Sequence, residues 1–140
     1  MADVSGKPEM AIGETDDAQK RIETFIAATT ITKGDPVYLS ADGQVSPATS
    51  AQDCIGIATD SVSAGQSCPV LVRGRIKVKA GGAITRGKAV YGADASKRVV
   101  ALADINEGGS STISWTRKLG YALQSTTAAD DLLFIVVEKW

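Results

Sequence analysis

The stretch ITKGDPVY at residues 31–38 decides the fold, because it returns with small changes as ITRGKAVY at residues 84–91. In each copy a glycine, Gly34 or Gly87, follows a basic residue and supplies the backbone freedom that a tight turn needs. A Val-Tyr pair then opens a strand in both copies, since β-branched and aromatic residues favour strands. The repeat therefore predicts the same turn and strand twice in one chain.

A second pair of matching blocks lies downstream. IGIATDSVSAGQSCPVLV at residues 55–72 aligns with LGYALQSTTAADDLLFIV at residues 119–136 through equivalent Gly, Ala and Ser residues. Because the second copy is longer than the first, we place an insertion with the composition of a glycine-serine hairpin at residues 104–118. The sequence thus predicts an internal duplication, with halves at about residues 31–79 and 84–138 that close over one core.

From Ile22 onward, β-branched runs alternate with Gly, Pro, Asp and Ser, a pattern typical of an all-β barrel or sandwich. Residues 22–140 are therefore predicted to form one small all-β domain. Residues 1–21 are polar and charged without a sustained period, so we expect an extended N-terminal arm. The predicted strands are IETFIA from residue 22, PVYLS from 36, CIGIAT from 54, CPVLVRG from 68, RIKVK from 75, KAVYG from 88, RVVAL from 98, KLGYALQ from 118 and LLFIVVEK from 132.

Composition excludes several kinds of chemistry. The 140 residues include no histidine, so mechanisms that need imidazole as a base or as a metal ligand are excluded. The two cysteines, Cys54 and Cys68, have no metal-ligand spacing and are expected to be reduced and mostly buried. We predict no catalytic residue, no metal site and no cofactor.

One stretch, GAITRGKA at residues 82–89, matches the core of a phosphate-binding loop. A strand is predicted after it where that loop needs a helix N-terminus, and Ala89 stands where a hydroxyl must reach magnesium. Nucleotide binding is therefore disfavoured. The basic run RGRIKVK at residues 73–79 is interpreted as a solvated strand face, or as a face that meets an acidic protein neighbour.

Charge and hydropathy restrict the partners. The formal net charge is −1, without the basic excess that phosphate neutralisation on nucleic acid requires. No apolar run approaches the length that spans a bilayer, and the N-terminus lacks a secretion-signal pattern. We expect neither nucleic acid nor membrane as a partner, and synthesis in the cytoplasm.

Four segments in this order carry a resemblance to a known family. They are ITKGDPVYLSADGQV, CIGIATDSVSAGQSCPVLVRGRIKV, GGAITRGKAVYGADASKRV and KLGYALQ. Over residues 24–138 the chain resembles the small capsid cement proteins, or head decoration proteins, of tailed bacteriophages. The resemblance implies a non-enzymatic virion protein, made in the bacterial host, that binds the major capsid protein on the outside of the mature head. It also implies a homotrimer that stabilises the capsid by bridging neighbouring capsomers.

Candidate contact residues follow from the apolar side chains near the N-terminus and from the tryptophans. We expect capsid contacts from Met10, Ile12, Ile22, Phe25 and Ile26, with the arm or the strand IETFIA adding to a sheet edge of the coat protein. For Trp115 and Trp140 two interpretations stay open: anchors of the oligomer interface, or indoles folded back over the end of their own barrel.

Two other classes of function remain as alternatives. One is a stand-alone β-barrel carrier or small-ligand-binding module, which would be a monomer with a filled cavity. The other is an enzyme that uses carboxylates alone, which would need two acidic side chains converging in a pocket.

Overall fold

The computed structural model describes residues 11–14, 20–50, 52–102, 105–107, 110–112 and 117–139. Within these residues the regular structure is β, and no α-helix is present, which confirms the predicted all-β class. The strands are β1 (Arg21–Ala27), β2 (Pro36–Ala41), β3 (Gln44–Pro47), β4 (Cys54–Ala58), β5 (Ser67–Lys79), β6 (Ala89–Gly92), β7 (Val99–Ala101), β8 (Ile105–Glu107), β9 (Ser110–Thr112), β10 (Lys118–Ala122) and β11 (Leu132–Glu138).

Five strands close into a mixed barrel. Their order is β1-β3-β2-β4-β5, and pairing of β1 with β5 completes the ring. β1 and β3 run parallel, while the other neighbours are antiparallel. The barrel interior, called the first core here, is filled by small and β-branched side chains, which suits so narrow a barrel. Its buried members are Ala27, Ile31, Val37, Val45, Ile55, Ala58, Cys68, Val70 and Val72.

Four further strands extend the sheet in the order β11-β10-β6-β7 beyond β5. They fold back toward the end of β5, where Ala80 forms an isolated parallel bridge with Val99. A second core fills the space they enclose, and its largest buried side chains include Ile57, Leu71, Ile76, Leu119, Leu133 and Ile135. β8 and β9 form a separate two-stranded sheet within the predicted insertion, as its composition indicated.

β5 belongs to both halves of the molecule. Its first part pairs with β1 and β4, and its second part pairs with β11 over Arg73–Lys79. Val72 faces the first core, yet Ile76, which would lie on the same side of a straight strand, faces the second. The change falls at Gly74, whose φ of +131° only glycine adopts readily. The sequence prediction of two strands here was wrong, because we interpreted this glycine as a strand end.

The two halves of the chain repeat the same backbone contacts. Equivalent positions of the matched blocks pair in the same register, and equivalent turns close with the same hydrogen bonds. These contacts are the pairs Val37–Gly56 and Val90–Gly120, the bonds from Gly34 N–H to Ala58 O (2.8 Å) and from Gly87 N–H to Ala122 O (2.7 Å), and the parallel pairs Ala27–Val45 and Ala80–Val99. Their origin by duplication stays a prediction.

The short segment Ala11–Glu14 lies against the body of the protein. Gly13 N–H donates to Lys77 O at 2.8 Å on the edge of β5 that β1 leaves free. The half-buried Ile12 sits over Gly34, where a side chain on that glycine would collide with it. This part of the predicted arm therefore contacts the barrel, while residues 1–10 and 15–19 lie outside the described structure.

Candidate functional site

The two thiols are buried in different parts of the fold. Cys54 belongs to the second core and donates its S–H to Gly92 O at 3.0 Å, whereas Cys68 belongs to the first core. Burial raises the pKa of Cys54 to about 12 and the pKa of Cys68 to about 11, so both stay protonated at neutral pH. Both are free thiols, as predicted. Neither is available as a nucleophile.

The phosphate-loop match has the wrong structural context. Gly87 lies in a turn with φ of +82°, and the strand β6 follows directly. A phosphate loop instead needs the N-terminus of a helix, where aligned N–H groups and the helix dipole favour the anion. The structure thus agrees with the interpretation of this motif as an ordinary turn.

The outer face of β1 is the clearest exposed apolar feature of the described residues. Ile22 and Ile26 are 38% and 41% exposed, and they lie on the same side of the strand with Thr24 between them. The three residues are called the β1 outer face below. Since about two fifths of each isoleucine is still exposed, a partner that covers this face would gain about 1 kcal/mol per side chain.

Phe25 points the other way from its neighbours. Its side chain is half-buried and packs against the first core of the barrel. The predicted grouping of Ile22, Phe25 and Ile26 as one contact set is therefore split: the two isoleucines point outward, and Phe25 supports the barrel from inside.

β1 is also less free as an edge than the sequence suggested. It pairs with β5 from Arg21 to Ile26 and with β3 at Ile26 and Ala27. One edge of the strand is therefore occupied along nearly its whole length. On the other edge of β1, the pairing with β3 covers Ile26 and Ala27 alone, so β1 presents its outer face and part of that edge.

The equivalent face of the second half is basic instead of apolar. Arg75, Lys77 and Lys79 occupy alternate positions on the second part of β5, and the Lys77 ammonium lies 5.8 Å from the centre of the Phe134 ring. Arg75 and Lys77 both have interaction partners in the structure. The two halves thus present different chemistry on matching strands, which makes the β1 outer face distinctive.

Sequence reasoning missed two exposed leucines. Leu39 on β2 is 45% exposed, and Leu132 at the start of β11 is 46% exposed. Leu39 directly precedes the polar turn sequence SADG, and Leu132 directly follows AADD. The proximity of these turns was the available signal that the two leucines are exposed. The remaining predicted contact residues Met10, Trp115 and Trp140 lie outside the described residues.

Comparison with known proteins identifies the family. A family model described as phage cement protein matches residues 17–138, which is most of the chain. The chain belongs to the phage cement protein family. The resemblance found in the sequence is thereby confirmed, and because the family is structural, this cement protein is not an enzyme.

A solved structure shares the fold of this cement protein. It is the head fibre gp8.5 N base of bacteriophage phi29, with 17% identity and a TM-score of 0.57 over 86% of this chain and 96% of that one. No curated protein matches the sequence. Among the described residues, no helix is long and apolar enough to cross a membrane.

Proposed function

We propose that this cement protein binds the outer surface of the mature phage head through the major capsid protein and bridges neighbouring capsomers. Membership of the cement family supports a role in the head. The observation that carries the choice of surface is the β1 outer face, where Ile22 and Ile26 are both exposed on a barrel wall held by two neighbouring strands.

A rigid barrel wall suits this role for a physical reason. Residues of a paired strand lose little conformational entropy on binding, so covering the isoleucines carries only a small ordering cost. The arm of residues 1–21, with Met10 and Ile12, is proposed to add a second contact in the same direction. Ile12 is half-buried on its own barrel, so its contribution would need the segment to shift.

A homotrimer is the proposed working form, with Trp115 and Trp140 as candidate anchors between the copies. Three copies joined by a rotation axis place three identical contact surfaces on one particle. Each contact can then be modest, since linked binding sites raise the overall affinity by several orders of magnitude. Bridging of capsomers would oppose their separation when the packaged genome presses on the shell.

The two halves are proposed to be copies of one ancestral unit. Matching strand registers and matching turn hydrogen bonds support this, as do the repeated sequence blocks. Divergence of the paired outer faces, apolar on β1 and basic on β5, then gives the two halves different contact surfaces.

A pelleting assay with purified expanded and unexpanded shells tests the function. The double variant Ile22→Ser/Ile26→Ser should lower shell affinity at least about tenfold while keeping its thermal stability, because both side chains are exposed. Leu132→Ser is the matched control, since Leu132 is equally exposed on a different strand. Failure of the unaltered protein to pellet with either shell would overturn the capsid role. Equal binding of the double variant and the control would move the contact away from β1.

Sedimentation equilibrium tests the trimer separately. The unaltered protein is expected at three times the mass of one chain, and Trp115→Ala/Trp140→Ala is expected to shift it toward a single chain. A monomer at all concentrations would contradict the trimer without affecting the pelleting result. Deletion of residues 1–20, tested in the pelleting assay, measures how much the arm contributes to shell affinity.

A further inference from the structure

A cavity of about 210 Å³ opens where the two halves of the chain meet. Its walls are the turn 32–35 before β2, the end of β5 at Lys79, and the turn 96–98 before β7. Ile12 of the docked N-terminal segment lines it as well. We call it the junction pocket. This volume admits a small polar group together with several water molecules.

Four cations line the junction pocket, and two of them are already neutralised. Lys33 forms an ion pair with Glu14 at 3.3 Å. Arg98 pairs with Asp94 at 2.8 Å and with Asp130 at 3.1 Å. The positive charges of these two side chains are thus balanced by three carboxylates.

The other two cations are Lys79 and Lys97. Neither forms an ion pair within 4 Å with any carboxylate of the residues that the structure describes. Lys97 interacts at longer range with Asp35, the one carboxylate among the described residues that line the pocket. Among the described residues, Lys79 and Lys97 are therefore the two lining cations that an incoming anion could pair with directly.

Asp35 sits low in the pocket and acts mainly on its own turn. It is 8% exposed, and its carboxylate accepts a hydrogen bond of 2.9 Å from Thr32 N–H. Burial raises the pKa of Asp35, against the opposing effects of that hydrogen bond and of Lys97. The raised pKa means that burial destabilises the charged form of Asp35. Nearby positive charges such as that of Lys97 reduce this destabilisation.

We propose that the junction pocket binds a single small oxyanion group through Lys79 and Lys97, with the hydroxyl groups of Thr32 and Ser96 as further donors. The group is a carboxylate of an acidic side chain on the capsid protein, or a free phosphate, since both present the same oxygen chemistry. The capsid source rests on the proposed function, whereas the binding of phosphate does not. An oxyanion here would tie together turns from both halves of the chain.

The first test uses the isolated protein and inorganic phosphate, followed by amide chemical shifts at constant ionic strength. Saturable shifts are expected at turns 32–35 and 96–98. Lys79→Gln/Lys97→Asn should weaken phosphate binding about fivefold or more, because two partly exposed charges are lost. Asn is chosen at position 97 because its backbone has φ of +62°.

Two further variants serve as controls for the effect of the lysine double variant on phosphate binding. Lys88→Gln removes an equally simple charge from a turn outside the pocket and should leave phosphate binding unchanged. Asp35→Asn removes the opposing charge and should tighten phosphate binding about threefold, an effect opposite in sign to that of the lysine variants. The proposed oxyanion site would be contradicted if phosphate caused no saturable shifts at the two turns, or if Lys88→Gln weakened phosphate binding as much as the lysine double variant.

The second test distinguishes the two sources. If a capsid carboxylate occupies the pocket, Lys79→Gln/Lys97→Asn weakens shell pelleting and added phosphate competes with the shell. If free phosphate is the ligand, phosphate still shifts the two turns while pelleting is unaffected by the variant. If the unaltered protein fails to pellet, the proposed capsid role is contradicted but phosphate binding is not, because the phosphate shifts are measured without shells.

Discussion

At the scale of single residues, Gly120 shows how closely the strands approach one another. A Cβ built on this residue would overlap the carbonyl oxygen of Val136 on β11, and the same holds for Gly56 against Leu71. A glycine inside an apolar strand is typical of a bulge or of a close backbone approach, and the structure shows the close approach at both positions. The particular carbonyl could not be predicted, because it depends on the register between strands far apart in sequence.

Gly120→Ala is therefore expected to lower the free energy of unfolding by about 3 kcal/mol, since backbone atoms cannot yield as a flexible side chain would. Gly82→Ala is the matched control, because a Cβ there meets nothing within 4 Å. The free energy of unfolding of Gly82→Ala should equal or slightly exceed that of the unaltered protein. Urea unfolding followed by circular dichroism measures both, and equal stability of the two variants would contradict the close contact.

At the scale of elements, prediction succeeded where apolar side chains run together and failed where no apolar pattern is present. The strand starting at residue 132 was predicted well because six consecutive apolar residues begin it. β3, with the sequence QVSP, was missed because a polar four-residue strand carries no hydrophobic pattern. The inward side of β1 could not be assigned either, since Ile22, Phe25 and Ile26 are all apolar and only the neighbouring strands decide which one is buried.

The docked segment Ala11–Glu14 gives a prediction at this scale. A chain that begins at residue 15 loses the Gly13–Lys77 hydrogen bond, the packing of Ile12 and the Glu14–Lys33 pair. Compared with a chain that begins at residue 11, its unfolding free energy should be lower by about 1–2 kcal/mol. Thermal and urea unfolding of the two chains compare them directly, and identical curves would show that the segment does not stabilise the body.

At the scale of the whole molecule, the two cores share one wall. β4 is buried at every position, and β5 supplies side chains to both cores. Loss of order in either core would remove the packing partner of the other. The duplicated sequence blocks suggested two halves over one core, whereas the structure has two clusters separated by a common strand.

We therefore expect the chain to unfold in a single cooperative transition. Ile31→Ala in the first core and Leu119→Ala in the second should each destabilise the protein by about 2–5 kcal/mol, because both side chains are fully buried. Calorimetry should give equal calorimetric and van't Hoff enthalpies for both variants and for the unaltered protein. Two separate transitions in either variant would show that the halves are independent.

The continuity of β5 also determines how the molecule carries mechanical load. Its thirteen residues are hydrogen-bonded to β1 at one end and to β11 at the other. A pull that draws the two ends of the molecule apart along this strand loads many backbone bonds in shear at once, instead of opening them one by one. Force applied in this direction is carried by one continuous strand, as the proposed bridging of neighbouring capsomers requires.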